Sequence, residues 1–276
     1  MRARWLRTAS AVLQLVRWAN ALTAAAGVVV GAWWAGWGGL VPIALAALAA
    51  IGLTAAANAW NDLADVAIDF VAHPERPLAA GRLSVASAER VGMAAATIAI
   101  VAASAVSVTL GVCSVAVLVL MKLYSPWLKR SGFAGNLLVS VLASLPFVYG
   151  GYVVGAWRMA IPLVFVAAPL HLARELAKDL DDRDADRMMR RTMPVALGVG
   201  TTRIVMIVAL AAFGAALAIG LAPQARSPRA FAVALLPAIA VLALATARAL
   251  RGRPGSPAYF KLAMVCAMAA LLVAHV

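Results

Sequence analysis

The sequence predicts an all-α integral membrane protein, nine transmembrane helices in a single bundle, forming one domain over residues 1–276. Three observations carry this reading. Hydrophobic residues make up 64% of the chain and charged residues only 13%, too few to cover a water-facing surface. Stretches such as 91–120 and 195–221 contain no acid and at most one base, Arg203, and are long enough to cross a hydrocarbon layer. All 11 acidic residues fall between Asp62 and Glu89 or between Glu175 and Asp186, so the polar chemistry is confined to two places.

The spans are expected at about 11–34, 39–60, 86–106, 108–124, 134–151, 159–175, 195–219, 230–248 and 259–275. Breaks are marked by Gly36-Trp37-Gly38-Gly39, Gly111, Gly150-Gly151, Pro223 and the Gly252–Pro257 segment. The basic start, Arg2, Arg4 and Arg7, precedes an apolar run that Arg17 interrupts and that continues to Trp37. It is read as a retained first helix, not a cleaved leader. Trp33, Trp34 and Trp37 at the end of span one are expected to form an interfacial belt. Small residues recur along the spans, which suits close packing of helices in lipid.

The net charge of +13 does not indicate nucleic acid, because the bases border apolar spans and form no stripe. With the amino end inside, the turns near 36–38, 107–111, 152–158 and 220–229 hold only Arg158, Arg226 and Arg229 of the 24 bases. That asymmetry satisfies the positive-inside rule. It predicts a multi-pass protein of the cell membrane with both acidic segments and the basic 122–130 segment on the cytoplasmic face. Cys113 and Cys266 lie in separate apolar spans and are expected to be small buried hydrophobes.

The first acidic segment, Asn58–Ser84, places Asp62, Asp65 and Asp69 at i, i+3 and i+7, one face of a helix. Like charges stacked in this way repel unless a cation lies among them. A hard divalent ion, Mg²⁺, takes such oxygen ligands together with substrate phosphates. The second segment, Arg174–Asp186, repeats the device: Glu175, Asp179, Asp182 and Asp186 fall at i, i+4, i+7 and i+11, with Asp181 and Asp184 off that face and expected to be solvated. Two carboxylate faces beside an apolar bundle suit a diphosphate on a lipid tail: metal neutralises the diphosphate and eases its departure. Arg76, Arg82, Lys122, Lys129 and Arg130 are candidate clamps for the diphosphate oxygens, Lys129 foremost, with Tyr124 nearby as a hydrogen-bond donor. Two other classes remain open on these residues: a secondary transporter with acidic ion sites, and a non-catalytic membrane scaffold. Gly198–Thr202 lacks the lysine of a phosphate-binding loop and is read as the start of span seven. His171 has no second ligand at helical spacing and is read as a packed histidine.

Asn61–Asp69 (NDLADVAID) with His73–Ser84 (HPERPLAAGRLS) resembles the first signature of the UbiA superfamily of intramembrane prenyltransferases. Arg174–Asp186 (RELAKDLDDRDAD) resembles its second aspartate-rich motif, Tyr124–Arg130 (YSPWLKR) the loop between them, and Leu15–Gly31 the usual first helix, with Arg17 and Asn20 in place. The resemblance implies a nine-helix bundle around a central cavity, Mg²⁺ as cofactor, and transfer of a prenyl group from an allylic prenyl diphosphate to a lipophilic acceptor. It assigns metal binding and catalysis to Asp62, Asp65, Asp182 and Asp186. Substrate binding falls to Arg17, Asn20, Asn61, Asp69, Arg76, Tyr124, Lys129, Glu175, Lys178 and Asp179. Lys178 departs from ubiquinone-branch enzymes, which carry an aromatic there. The second motif, Thr192-Met193-Pro194 and Phe133–Gly151 are most similar to the geranylgeranylglycerol-phosphate geranylgeranyltransferase branch. That branch favours a glycerophosphate-type alcohol as acceptor over an aromatic quinone precursor or a tetrapyrrole.

Overall fold

The first predicted span is not one straight helix. In the computed structural model, which describes residues 2–127, 132–187 and 191–274, α1 (Arg2–Leu15) and α2 (Trp18–Trp34) meet at a bend of 54°. Arg17 sits at the break with a left-handed φ of 49°, a conformation that costs a side-chain-bearing residue and needs support from its neighbours. The other helices are α3 (Leu40–Ala72), α4 (Val85–Val106), α5 (Val108–Trp127), α6 (Phe133–Val153), α7 (Trp157–Asp181), α8 (Arg183–Asp186), α9 (Met193–Ala196), α10 (Gly198–Ala215), α11 (Pro228–Leu250) and α12 (Ser256–Val273). A π-helical stretch, Ala216–Leu221, and a short 3₁₀ turn extend α10. The described residues contain no strand.

Seven of these segments are long and apolar enough to cross a membrane, eight if the bent α1–α2 pair is one span. The count of nine expected from the sequence differs because Val108–Lys122 is apolar but short. α4 and α5 are separated by Ser107 alone, in extended conformation. The outward surface is itself apolar: Val108 and Ile219 are 79% and 80% exposed and Phe70 60%. Water does not tolerate a surface so continuously apolar, whereas lipid does. Cys113 is exposed on this surface, not buried as expected.

The chain divides into two compact units. The first comprises Met1–Ala26 and Leu40–Leu128, the second Gly27–Gly39 and Lys129–Val276. In the first, α3 packs on α4 and α5, and α1 lies against α3. Ala11, Leu15, Ala59, Leu78, Leu83 and Ala88 form an apolar cluster at the acidic end. Gly52 lets α3 and α4 touch: a methyl there would lie 2.6 Å from the Ala95 carbonyl oxygen. In the second, α7 is central, contacted by α6, α10, α11 and α12. α2 and α6 meet through glycine on both sides. A methyl on Gly31 would collide with the Phe147 backbone, and one on Gly150 with that of Val28, the small-residue contact seen between membrane helices. Trp34 is 2% exposed in this core, so it is not part of the expected belt. Trp33 and Trp37 do pair edge-to-face, 5.8 Å between centroids, and Trp33 Nε1 donates to the Leu272 carbonyl.

A candidate prenyl-transfer site

The first acid group is built on a helix that outlasts its apolar part. Span two was expected to end near residue 60, but α3 continues to Ala72. Nothing in Asn61–Ala72 breaks a helix; Pro74 comes only afterwards. Asp62, Asp65 and Asp69 therefore lie on one helical face as expected, and all three are buried, 2%, 4% and 2% exposed. Buried carboxylates require partners. Arg17 donates from Nη2 to Asp62 Oδ1 at 2.7 Å. Arg76 donates from Nη1 to both oxygens of Asp69, at 2.7 and 2.8 Å, and lies 3.8 Å from Asp62. Asn61 donates to Asp65 Oδ2 at 3.1 Å.

The helix break is part of the same construction. Asn58, one turn before Asp62, donates to the Val16 carbonyl at 3.1 Å, satisfying a backbone acceptor freed by the bend. Asp62 then takes the Arg17 side chain, so two residues of α3 grip successive residues of the break. Burial alone favours the neutral form of Arg76. The hydrogen bond to Asp69 and the charges of Asp69, Asp62 and Asp65 outweigh it and hold the guanidinium pKa above its ordinary value. Asn20 is half-buried one turn along α2.

Other expected clamps go elsewhere. Arg82 bonds Gln14 Oε1 at 2.7 Å and the Glu75 carbonyl, tying the 73–84 loop to α1. Lys122 lies over the Trp60 ring, 5.4 Å from its centroid. Lys129 and Arg130 fall outside the described residues, and of Tyr124 only the helical backbone is described.

The second acid group lies in the other unit and is less regular than its spacing suggested. α7 ends at Asp181. Asp182 caps it, and Asp186 sits in the separate short α8, so the four acids do not share one uninterrupted helix. Asp186 is 4% exposed. Asp179 Oδ2 accepts from Asn136 Nδ2 of α6 at 2.7 Å. Glu175 pairs with its neighbour Arg174, and Lys178 is half-buried beside them. Asn136 had not been singled out from the sequence; its signal was a lone amide in an otherwise apolar helix. Asp181 is exposed, as expected, and its Oδ2 also accepts from the Gly255 N–H at 2.8 Å, fastening the end of α7 to the start of α12. His171 is half-buried in α7.

Among the described residues no three of His, Cys, Asp or Glu converge closely enough to form a protein-only metal cage. The donors nevertheless fit Mg²⁺, which is usually held by one or two carboxylates and completed by phosphate oxygens and water. Asp62 and Asp65, one turn apart on α3, offer hard oxygen ligands of that kind, and Asp182 and Asp186 offer a second pair.

The UbiA prenyltransferase family model matches residues 20–271. The chain belongs to that family. It is therefore an integral-membrane prenyltransferase, and both acid groups lie in the matched region. Digeranylgeranylglyceryl phosphate synthase of Methanopyrus kandleri is 34% identical over 203 residues, covering 73% of this chain and 75% of that protein. The enzyme of the same name from Halobacterium salinarum is 34% identical over 222 residues, covering 77% and 78%. Among solved structures, a UbiA homologue from Aeropyrum pernix superposes with a TM-score of 0.78 at 20% identity, covering 93% of this chain and 96% of that one. A homologue from Archaeoglobus fulgidus bound to GPP and Mg²⁺ gives 0.66 at 16% identity, covering 96% and 99%.

Proposed function

We propose that this prenyltransferase is Mg²⁺-dependent and joins a geranylgeranyl-type chain from its allylic diphosphate to a glycerophosphate-type alcohol. The observation that carries the reading is the buried row Asp62, Asp65 and Asp69 on α3, held beside Arg17 and Arg76. Carboxylates are kept out of water at a membrane helix end only at considerable cost, which marks a functional site. The acceptor is favoured by the shared name of the M. kandleri and H. salinarum relatives.

In this reading Asp62 and Asp65 hold metal in one unit, and Asp182 and Asp186 in the other. When bound, Mg²⁺ supplies charge neutralisation of the leaving diphosphate. Arg17, Arg76 and Lys129 bind diphosphate oxygens through charge-assisted hydrogen bonds; Asn20, Tyr124, Glu175, Lys178 and Asp179 are further substrate-binding residues. Asn61 orients Asp65, and Asp69 orients Arg76. The allylic carbon–oxygen bond breaks, pyrophosphate departs with the bonding pair, the acceptor oxygen bonds to that carbon, and its proton leaves. The chain would form one domain over 1–276 with nine membrane crossings, both acid groups facing the cytoplasm; the base asymmetry of the predicted turns supports that orientation.

The test uses purified protein in detergent with geranylgeranyl diphosphate, Mg²⁺ and each acceptor class in turn, following pyrophosphate release and the lipid product by mass spectrometry. A prenylated glycerophosphate that disappears in Asp62→Ala and Asp182→Ala is the expected result. Product with an aromatic or tetrapyrrole acceptor alone would overturn the acceptor assignment.

A further inference from the structure

Most side-chain polar atoms shielded from solvent in the second unit have partners, and the exceptions cluster. Among the described residues four such atoms lack one: Thr192 Oγ1, Arg203 Nε, Arg248 Nε and Ser256 Oγ. Three of the four surround one turn, Arg251–Gly255, between α11 and α12. Arg203, near the start of α10, lies against it: a methyl on Gly252 would sit 3.6 Å from Arg203 Nη2. Arg248, in the last turn of α11, donates from Nη2 to the Pro254 carbonyl at 2.7 Å and stacks over Tyr259, 4.8 Å from the ring centroid. Ser256, fully buried, is the first residue of α12. Arg251 and Arg253 on the turn are exposed.

Four arginines, Arg203, Arg248, Arg251 and Arg253, thus lie on or against this turn, while the carboxylate bonded to it, Asp181, is engaged by the Gly255 N–H. A shielded donor without an acceptor is destabilising, and its recurrence at one place points to an acceptor that the protein chain does not provide. The Nε–Nη edge of arginine is the edge that grips phosphate in bidentate fashion. None of Arg203, Arg248, Arg251, Arg253 and Ser256 belongs to the proposed reaction site, which adjoins this place only through the neighbouring residues Asp181 and Asp182. It also stands where α11 ends in Arg248 and the turn to α12 carries Arg251 and Arg253, bases at the end of an apolar span, the arrangement that meets anionic headgroups at a bilayer surface.

We propose that the α11–α12 turn, with Arg203, Arg248 and Ser256, is a binding site for a phosphate group carried by an anionic membrane lipid. The phosphate takes donors from Arg203 and Arg248, Ser256 adds its hydroxyl, and Arg251 and Arg253 supply the surrounding positive field.

The test takes the full chain, delipidated in neutral detergent with EDTA so that no metal-dependent diphosphate site contributes. Phosphatidylglycerol, phosphatidylcholine and inorganic phosphate are titrated separately, and bound lipid is read by native mass spectrometry alongside the melting temperature. Phosphatidylglycerol is expected to remain bound and raise the melting temperature, phosphatidylcholine to do so far less. Arg203→Gln is expected to weaken retention tenfold or more. The double change Arg251→Gln/Arg253→Gln, confined to exposed residues, gives the same answer if Arg203→Gln fails to fold. Arg226→Gln/Arg229→Gln removes two bases elsewhere in the unit and is expected to change nothing. Equal retention in wild type and the turn variants, or equal loss in the Arg226/Arg229 control, would overturn the proposal. Protection by inorganic phosphate alone would refute the lipid as the source.

Discussion

Arg76→Gln tests whether the first acid group is held by charge pairing. Asp69 and Asp62 have side chains only 3% exposed, and Arg76, 19% exposed, reaches both, bonding Asp69 through two contacts. Glutamine keeps much of the length and removes the charge. Asp69 then stays buried without its cation, while Asp62 retains Arg17. Breaking a buried pair by removing one partner costs about 3–5 kcal/mol, and the partial exposure of Arg76 places this one near the lower end, at about 3 kcal/mol. That is roughly a hundredfold in the unfolding equilibrium. The double variant Arg76→Gln/Asp69→Asn removes both charges and is expected to recover most of the loss. Reversible unfolding in mixed micelles, followed by tryptophan fluorescence for the wild type, both single variants and the double, gives the coupling energy. A single-variant loss under about 0.5 kcal/mol, or a double variant whose loss equals the sum of the singles, would refute the pairing argument.

Asn136→Ala removes the amide that Asp179 accepts from and is expected to destabilise the protein by about 2 kcal/mol. Asn136→Asp should be worse, since it sets a second carboxylate beside Asp179; the same unfolding assay checks both. Gly150→Ala drives a methyl into the Val28 backbone, which no rotamer change relieves, so a loss of about 3 kcal/mol is expected. Size-exclusion recovery reads this, with Gly214→Ala, an exposed helical site with nothing within 4 Å, as the harmless control. Asp181→Ala removes an acceptor at the start of α12 and should cost about 1 kcal/mol while pyrophosphate release per folded molecule persists. Asp182→Ala, one residue on, should abolish release.

The acid groups were legible because carboxylates in a chain this apolar have few reasons to exist, and spacings of three and four place them on one face wherever the helix runs unbroken. Asp62, Asp65 and Asp69 lie on one face of α3 for that reason, and Gly198 opens α10 because glycine meets the left-handed φ of 86° found there. The helix limits were harder. A carboxylate ends an apolar run without ending a helix, so α3 and α7 each outlast their predicted spans. The break at Arg17 was marked in the sequence only as a charge interrupting an apolar run, since neither glycine nor proline lies there.

The sequence by itself determined the membrane class, the helical content and the two places where polar chemistry is kept, because composition and periodicity act locally and each residue type carries them wherever it falls. Only the tertiary structure decided which partner each polar group takes. Arg17 goes to Asp62, Arg76 to Asp69, Asn136 to Asp179 and Asp181 to the Gly255 N–H, while Arg82 and Lys122 turn to other partners. Several of these pairs are more than forty residues apart, and burial makes each partner necessary without naming it. The choice is made by which side chain the packed helices bring within about 3 Å.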